Sequence, residues 1–255
     1  PVAQHISYHN YVAEQIGIGV YAFNDVAGPA RRSGLMTSMS VQIKSSYKTR
    51  LSFGIAGSFS QFMIDRDKLI TEEPGDQVVL ERTSNQLIPD LATGLHWYSH
   101  QFHIGIALFN ILQTKSDLFD VMTPVSSTLD RTLFANASYR FGASNENGIS
   151  FEPSAILRLM TNAPIQFDVS GRIFYNQQLY IGSSYRHLDA LALLIGIDSR
   201  KLGIGYAYDI GLSNLNDHHS GSHEIVLTFK TRNNKQNTNN RSTFSNRVYD
   251  CPSFK

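Results

Sequence analysis

Large apolar side chains recur at every second position along much of this chain, and small or polar residues fill the positions between them. Between residues 202 and 212 the apolar positions are Leu202, Ile204, Tyr206, Tyr208, Ile210 and Leu212, and the intervening ones are Gly203, Gly205, Ala207, Asp209 and Gly211. A period of two is the β-strand period, because successive side chains point to opposite faces. About 9–11 residues is also the length with which a tilted strand crosses a bilayer. The pattern therefore predicts a transmembrane β-barrel.

The alternation predicts about 12 or 13 strands, with an uncertainty of about two. They are expected at residues 15–23, 34–44, 51–59, 90–99, 101–111, 131–141, 149–160, 165–175, 178–186, 189–197, 201–213 and 222–231, with a further strand already running at Ile6 to Tyr8. Short turns alternate with long polar loops at about 65–89 and 113–130, which is typical of an up-and-down antiparallel barrel. Bacterial single-chain barrels have even strand numbers, so we expect about 14 strands when the barrel is complete.

The chain divides into two predicted regions. Residues 1–232 are expected to form the barrel, which we expect to lack its N-terminal leader and first strand or strands. Residues 233–255 are expected to form a polar tail, because Asn, Lys, Thr, Ser and Arg dominate this part and cannot bury a core. The tail should be disordered, or ordered only on a partner.

Composition supports a membrane barrel and excludes several classes of protein. The charged fraction is 17%, below the roughly 25% usual for soluble domains. A net charge of +1 gives no field that would attract nucleic acid. No apolar run reaches the 18 or so residues of a transmembrane helix, and the single cysteine, Cys251, excludes an internal disulfide framework.

A soluble β-sandwich is the main competitor, because its strands alternate as well. In a sandwich the outward face usually carries many Lys and Glu residues. Here the less apolar face of most strands carries Gly, Ala and Ser with scattered charge. A crowded barrel lumen requires small residues of this kind, so the composition of this face favours the barrel.

Two kinds of chemistry can be weighed from the residues. A metal site is suggested by Asp217, His218, His219, His223 and Glu224. However, His223 and Glu224 are adjacent on a predicted strand and point to opposite faces, so we favour loop and interface residues over a metal centre. No Gly-x-Ser-x-Gly nucleophile elbow occurs, so we expect no enzyme and no cofactor.

The predicted inner face carries polar groups and glycines whose roles are open. Gln166, Asp168, Ser170 and Arg172 share one face and could line a solute path. Asp168 and Arg172 are more consistent with ion pairing inside a filled lumen. The glycines at 203, 205 and 211 indicate either a bulky group packed against this wall or strong local curvature. The stretch from Asn24 to Pro29 lacks the glycine spacing of a phosphate-binding loop, so we predict that it is a plain turn.

Four stretches carry a resemblance to a known family. They are Asn24-Asp25 with Gly28-Pro29; Pro89-Asp90 with Gly94 and His103-Ile104-Gly105; Leu179 to Ser183; and the closing segment Gly205-Tyr206-Ala207-Tyr208-Asp209, Ser213-Asn214-Leu215 and Gly221-Ser222-His223-Glu224-Ile225. In this order they resemble the PorP/SprF family of outer-membrane proteins of the type IX secretion and gliding system of Bacteroidota. The resemblance covers roughly residues 15–230. The family's leader and early Asn-Pro-Ala-Tyr-rich stretch are not present, which agrees with a start inside the fold.

The resemblance implies a multi-pass barrel of the bacterial outer membrane, in contact with its lipid, that is needed for the secretion and surface display of large proteins such as gliding adhesins. Implied partners are the C-terminal domain of a secreted adhesin or other large cargo, and the periplasmic ring or translocon proteins. The family-motif residues, structural or partner-binding, are Asp25, Gly28, Pro29, Tyr206, Tyr208, Asp209, Gly221, His223 and Glu224. A porin or hydrophobic-solute transporter is the alternative, and an outer-membrane hydrolase is the third possibility.

Overall fold

A computed structural model describes residues 1–46, 48–65, 85–116, 127–142, 148–212 and 221–231 of the chain. Within these ranges no helix is long and apolar enough to cross a membrane. The predicted polar tail at 233–255 lies outside the described residues, as do most of the two predicted long loops.

The described residues form fifteen β-strands. They are β1 (Val2–Tyr11), β2 (Ile16–Ala27), β3 (Ala30–Lys44), β4 (Arg50–Ile64), β5 (Asn85–Tyr98), β6 (Phe102–Phe109), β7 (Lys115–Ser116), β8 (Ser127–Thr128), β9 (Thr132–Tyr139), β10 (Ile149–Met160), β11 (Gln166–Tyr175), β12 (Leu179–Arg186), β13 (Ala190–Asp198), β14 (Leu202–Gly211) and β15 (Ser222–Phe229). Strands β7 and β8 pair only with each other, and the other thirteen form one sheet in chain order. The predicted all-β, up-and-down antiparallel architecture is confirmed. Among the described residues, the sheet order begins at β1 and ends at β15 without a ladder joining these two strands.

Four strands are longer than the alternation predicted, and one of them, β2, continues to Ala27 beyond the predicted residue 23. β3 starts at Ala30 and not at residue 34, β4 continues to Ile64, and β5 starts at Asn85. The added residues of β3 include Arg31 and Arg32, which interrupt the apolar pattern although the backbone ladder continues through them. Hydrophobic periodicity identifies the part of a strand whose side chains face lipid. The end of the strand is set by backbone pairing, which can continue beyond that part.

The chain falls into two compact units, and each is described by itself. The first contains residues 1–97, 104–135 and 158–165, and therefore the whole of β1 to β4. The second contains residues 98–103, 136–157 and the described residues from 166 onward, and therefore the whole of β11 to β15. We call them the N-terminal and the C-terminal unit.

The distribution of side chains is inverted relative to a water-soluble domain. Among the described residues only four hydrophobic residues are buried, Ile88, Phe174, Ala190 and Ala207, against seven polar or charged ones, Gln42, Asp90, Thr132, Ser150, Glu152, Gln177 and Asp209. The large apolar side chains are exposed in alternation, for example Phe53, Ile55 and Phe59 on β4 and Leu193, Ile195 and Ile197 on β13. A sandwich would bury such a face. An outer-membrane barrel presents it to lipid.

Candidate functional site: the closing hairpin and the charged inner face

The closing hairpin, β14 with β15, contains six of the nine family-motif residues in or beside its ladder. Tyr208 lies opposite His223, and Tyr206 lies opposite Ile225. The Tyr206 hydroxyl hydrogen-bonds with His223 Nδ1 at 2.7 Å. The ring centroids of Tyr208 and His223 are 4.9 Å apart. The two tyrosines and the histidine thus form one contacting group on the outward face.

This group lines a shallow cavity on the outward face of the C-terminal unit. Leu193 and Ile195 of β13 complete its wall. Leu193 lies opposite Tyr208, and Ile195 lies opposite Tyr206. Tyrosine and histidine side chains next to an apolar stripe are typical of the girdle at a membrane–water interface.

The other two motif residues of these strands point inward. Asp209 is buried on the same face as Ala207, and Glu224 lies opposite Ala207. The prediction that His223 and Glu224 occupy opposite faces agrees with this register. In the part of the chain that the structure describes, no group of three or more His, Cys, Asp or Glu residues could hold a metal ion. Asp217, His218 and His219 lie outside the described residues.

Gly221 has a conformational reason to be glycine. Its φ is +87°, in the left-handed region that L side chains rarely adopt. A Cβ atom at this position would also meet the backbone oxygen of Asp209 and lie 3.1 Å from the Tyr208 hydroxyl. The residue therefore allows the chain to enter β15 beside Tyr208 without displacing the aromatic group.

The remaining motif residues belong to the hairpin of β2 and β3 in the N-terminal unit. Asp25 lies opposite Arg32, and its Oδ1 is 4.0 Å from His5 Nε2. Gly28 has a φ of 60° with open space around it, so backbone conformation alone explains the glycine. The Pro29 carbonyl accepts a hydrogen bond from the Asp65 backbone N–H at 2.8 Å. The plain turn predicted from Asn24 to Pro29 is wrong in extent, because the β2 ladder continues to Ala27 and only Gly28 and Pro29 form the turn.

A charged cluster on the inner face of the C-terminal unit was missed by the sequence reasoning. We call it the Glu152 cluster, and it consists of Arg140, Glu152, Arg172 and Phe174. Glu152 accepts hydrogen bonds from Arg140 Nε at 2.6 Å and from Arg172 at 2.5 Å. The Arg140 guanidinium stacks on the Phe174 ring at 4.0 Å from its centroid. The sequence could have indicated this cluster, because its residues on β10 and β11 occupy even positions, and the even positions of β11 face inward.

Ionic contacts join the inward residues of β11 to its neighbouring strands, and Asp168 and Arg172 do not pair with each other. Arg172 pairs with Glu152, and Asp168 pairs with Arg186 of β12 at 3.4 Å. Arg186 also pairs with Asp189 at 3.0 Å. In a strand, residues four apart are separated by about 13 Å, so cross-strand neighbours are the nearer partners. The polar face that includes Ser170 therefore consists of side chains bound to adjacent strands.

Tyr180 accounts for part of the glycine-rich wall. It lies directly opposite Gly196, which lies opposite Gly205. A Cβ atom at Gly196 would overlap the Tyr180 ring, and one at Gly205 would lie 2.6 Å from its hydroxyl. The bulky group at Gly205 is thus a side chain of β12. At Gly203 the nearest side chain is Thr228.

Comparisons with known proteins bear on this geometry. A family model described as type IX secretion system membrane protein PorP/SprF matches residues 1–229. Among solved structures, the chain is similar to BamA from Haemophilus ducreyi lacking POTRA domains 1–3, with 8% identity and a TM-score of 0.42. The match covers 89% of this chain and 62% of the BamA chain, so this chain spans less than two thirds of the length of that BamA chain. It is also similar to a mutant of the porin from Rh. blastica, with 12% identity, a TM-score of 0.33 and 88% coverage of both chains. No curated protein matches.

Proposed function

The chain belongs to the PorP/SprF family of type IX secretion system membrane proteins and is an outer-membrane protein, and on that premise we propose that it binds, helps to export or anchors large surface proteins such as adhesins. Family membership over residues 1–229 carries the proposal. The proposed role is non-enzymatic and belongs to the secretion and gliding machinery. The proposed partners are the C-terminal domain of the cargo, the periplasmic ring or translocon proteins, and outer-membrane lipid.

The arrangement of connections in the N-terminal unit supports a role in holding cargo. Strands β2, β4 and β6 run in the same direction, because neighbours in the sheet are antiparallel. The segments that follow β4 and β6 therefore leave from the same end of the unit, and both are long, at residues 65–84 and 110–131. Long connections of this kind are typical of the extracellular end of a barrel. They provide a place for contact with a large exported protein.

The inner face of the C-terminal unit supports the same proposal over a diffusion porin. Glu152 and its two arginine partners, the Phe174 ring and Tyr180 fill space on the inner side of β10 to β14. Porins of 16–18 strands leave an aqueous channel. An inner face that is occupied by ion pairs and rings, as in the C-terminal unit, is better suited to a stable scaffold than to passage of solutes.

Identification of bound proteins tests the proposal. The tagged protein would be purified from native membranes in mild detergent, and what remains bound would be identified by mass spectrometry. We expect the C-terminal domain of a large secreted adhesin in stoichiometric amount. Solute-dependent conductance in planar bilayers with no stable protein partner would contradict the proposal in favour of a porin, and labelling by a serine-reactive probe would favour a hydrolase.

Deletion of residues 233–255 tests the proposed contact with periplasmic partners. We expect the barrel to fold but to lose co-purifying ring proteins, because the polar tail would provide the contact. A variant with the same tail residues in scrambled order is the control for bulk charge. Unchanged co-purification after deletion would exclude this role of the tail.

A further inference from the structure

The outward face of the N-terminal unit changes character at a sharp boundary. On β2, β3 and β4 the outward positions are apolar, apart from Thr37 and Gly57, as far as the row formed by Ala22, Leu35 and Phe59, which lie opposite one another. The next outward row consists of Asn24, Ser33 and Gln61. Two residues along a strand correspond to roughly 7 Å. The surface therefore changes from side chains that suit hydrocarbon to side chains that form hydrogen bonds over a distance of about the thickness of one lipid headgroup layer.

The polar side of this boundary is organised around Asn24. Its side-chain oxygen accepts hydrogen bonds from Arg31 Nε at 2.8 Å and from the Ser33 hydroxyl at 2.9 Å. Its amide nitrogen donates to Gln4 Oε1 at 3.3 Å. Because Asn24 binds only the Nε–H of Arg31 in this network, the guanidinium is held in place with its terminal N–H groups still able to donate.

Arg31 borders a cavity that opens beside the apolar stripe. Arg31, Ser33, Gln61 and Met63 line about 200 Å³ on the outward face. The guanidinium fork matches the geometry of a phosphate and can donate two hydrogen bonds to it. The apolar side chain directly below, Leu35, is exposed. The surface therefore offers a cationic donor above a stripe that accepts acyl chains.

We propose that the Arg31 cavity, lined by Arg31, Ser33, Gln61 and Met63, binds the phosphate of an anionic lipid whose acyl chains lie along the outward face of β3 and β4. The ligand should be a phospholipid-like or lipid A-like amphiphile, because the cavity is continuous with the lipid-facing stripe and Arg31 carries a positive charge. The long connections of this unit leave from the same end, so the bound lipid belongs to the outer leaflet. The proposal rests on the outer-membrane location and is independent of cargo binding.

The neighbouring arginine provides a matched control. Arg32 has the same charge and is exposed, but it lies on the inward face, where its guanidinium stacks over the Phe23 ring at 5.4 Å. Any effect of total charge would be equal for Arg31 and Arg32. An effect of a phosphate site on the lipid face would be specific to Arg31.

Binding of lipid A tests the proposal. The full chain, refolded in detergent micelles, would be titrated with monophosphoryl lipid A and with its dephosphorylated form, and bound lipid would be counted by native mass spectrometry. We expect preference for the phosphorylated form, binding about tenfold weaker in Arg31→Gln because charge-assisted hydrogen bonds are lost, and nearly unchanged binding in Arg32→Gln. Asn24→Ala should weaken binding less than Arg31→Gln, since it only positions the guanidinium.

Several results would overturn the proposal. They are equal binding of the two lipid forms, no change in Arg31→Gln, or equal losses in Arg31→Gln and Arg32→Gln. Complete competition by inorganic phosphate would also overturn it, because the site would then recognise the anion without the lipid. Heat-modifiable migration in gels confirms that each variant has folded before it is compared, and Arg31→Lys replaces Arg31→Gln if the latter does not fold. A loss in the lysine variant is also expected, because lysine lacks the fork geometry.

Discussion

Replacement of Ile204 by arginine tests the orientation of the sheet with respect to lipid. Ile204 lies on the outward face of β14, and it is flanked by Ile197 of β13 and Leu227 of β15. All three side chains are exposed. An arginine here would be surrounded by apolar side chains and, in a membrane, by hydrocarbon.

The expected cost follows from the position of Ile204 along its strand. The outward apolar positions of β14 run from Leu202 to Ile210, so Ile204 lies two residues from one end of the stripe. Arginine on the lipid face costs about 2–4 kcal/mol at the midplane and about 0–1 kcal/mol near the interfaces. We therefore expect Ile204→Arg to lower the free energy of unfolding by about 2 kcal/mol, the lower end of the midplane range.

A matched variant distinguishes the lipid face from a general intolerance of arginine. Val226 of β15 lies opposite Gly205, one ladder step from the Ile204–Leu227 pair and on the inward face. It is also exposed, so Val226→Arg should cost less than about 1 kcal/mol, as expected for a residue outside hydrocarbon.

Equilibrium urea unfolding of the protein in lipid vesicles, followed by circular dichroism of the sheet, measures both values. A neutral Ile204→Arg, or a Val226→Arg that costs as much or more, would refute the assignment of faces.

Two further predictions concern the inner face of the C-terminal unit. Glu152→Gln should lower the free energy of unfolding by roughly 3 kcal/mol, because two arginines lose a largely buried carboxylate. Asp168 belongs to a more exposed ion pair, so Asp168→Asn should cost less than about 1 kcal/mol in the same urea assay. Similar costs for the two variants would contradict the role given to the burial of Glu152. Gly196→Ala should lower the free energy of unfolding by about 1–3 kcal/mol, because the added methyl group crowds the Tyr180 ring. In a double-mutant cycle, adding Tyr180→Ala should recover part of that loss. Strictly additive effects of the two substitutions would show that the ring and the glycine do not interact.

The faces of the strands could be predicted from the sequence because they depend only on a period of two. The structure has Ile204 facing outward and Asp209 inward, as the alternation of β14 indicates. The opposite orientations of His223 and Glu224 needed no knowledge of other strands. The all-β class and the family resemblance at the closing hairpin followed from the same local patterns.

The partners of inward residues could not be predicted, because they depend on register between strands far apart in sequence. Glu152 meets Arg172 across twenty positions of sequence, and nothing local to either residue specifies that pairing. Tyr180 covers Gly205 only because β13 aligns Gly196 between them. The polar outward residue Arg31 was missed for another reason: it belongs to a strand that continues beyond its apolar stripe.

The central claim is that the outward apolar face contacts hydrocarbon, and Trp97 tests it most directly. Trp97 is the only tryptophan of the chain and lies near the end of β5 with an exposed side chain. In vesicles of phosphatidylcholine carrying bromine atoms on the acyl chains, its fluorescence should be strongly quenched and aqueous iodide should have little effect. Strong quenching by iodide with none by the brominated lipid would contradict the claim.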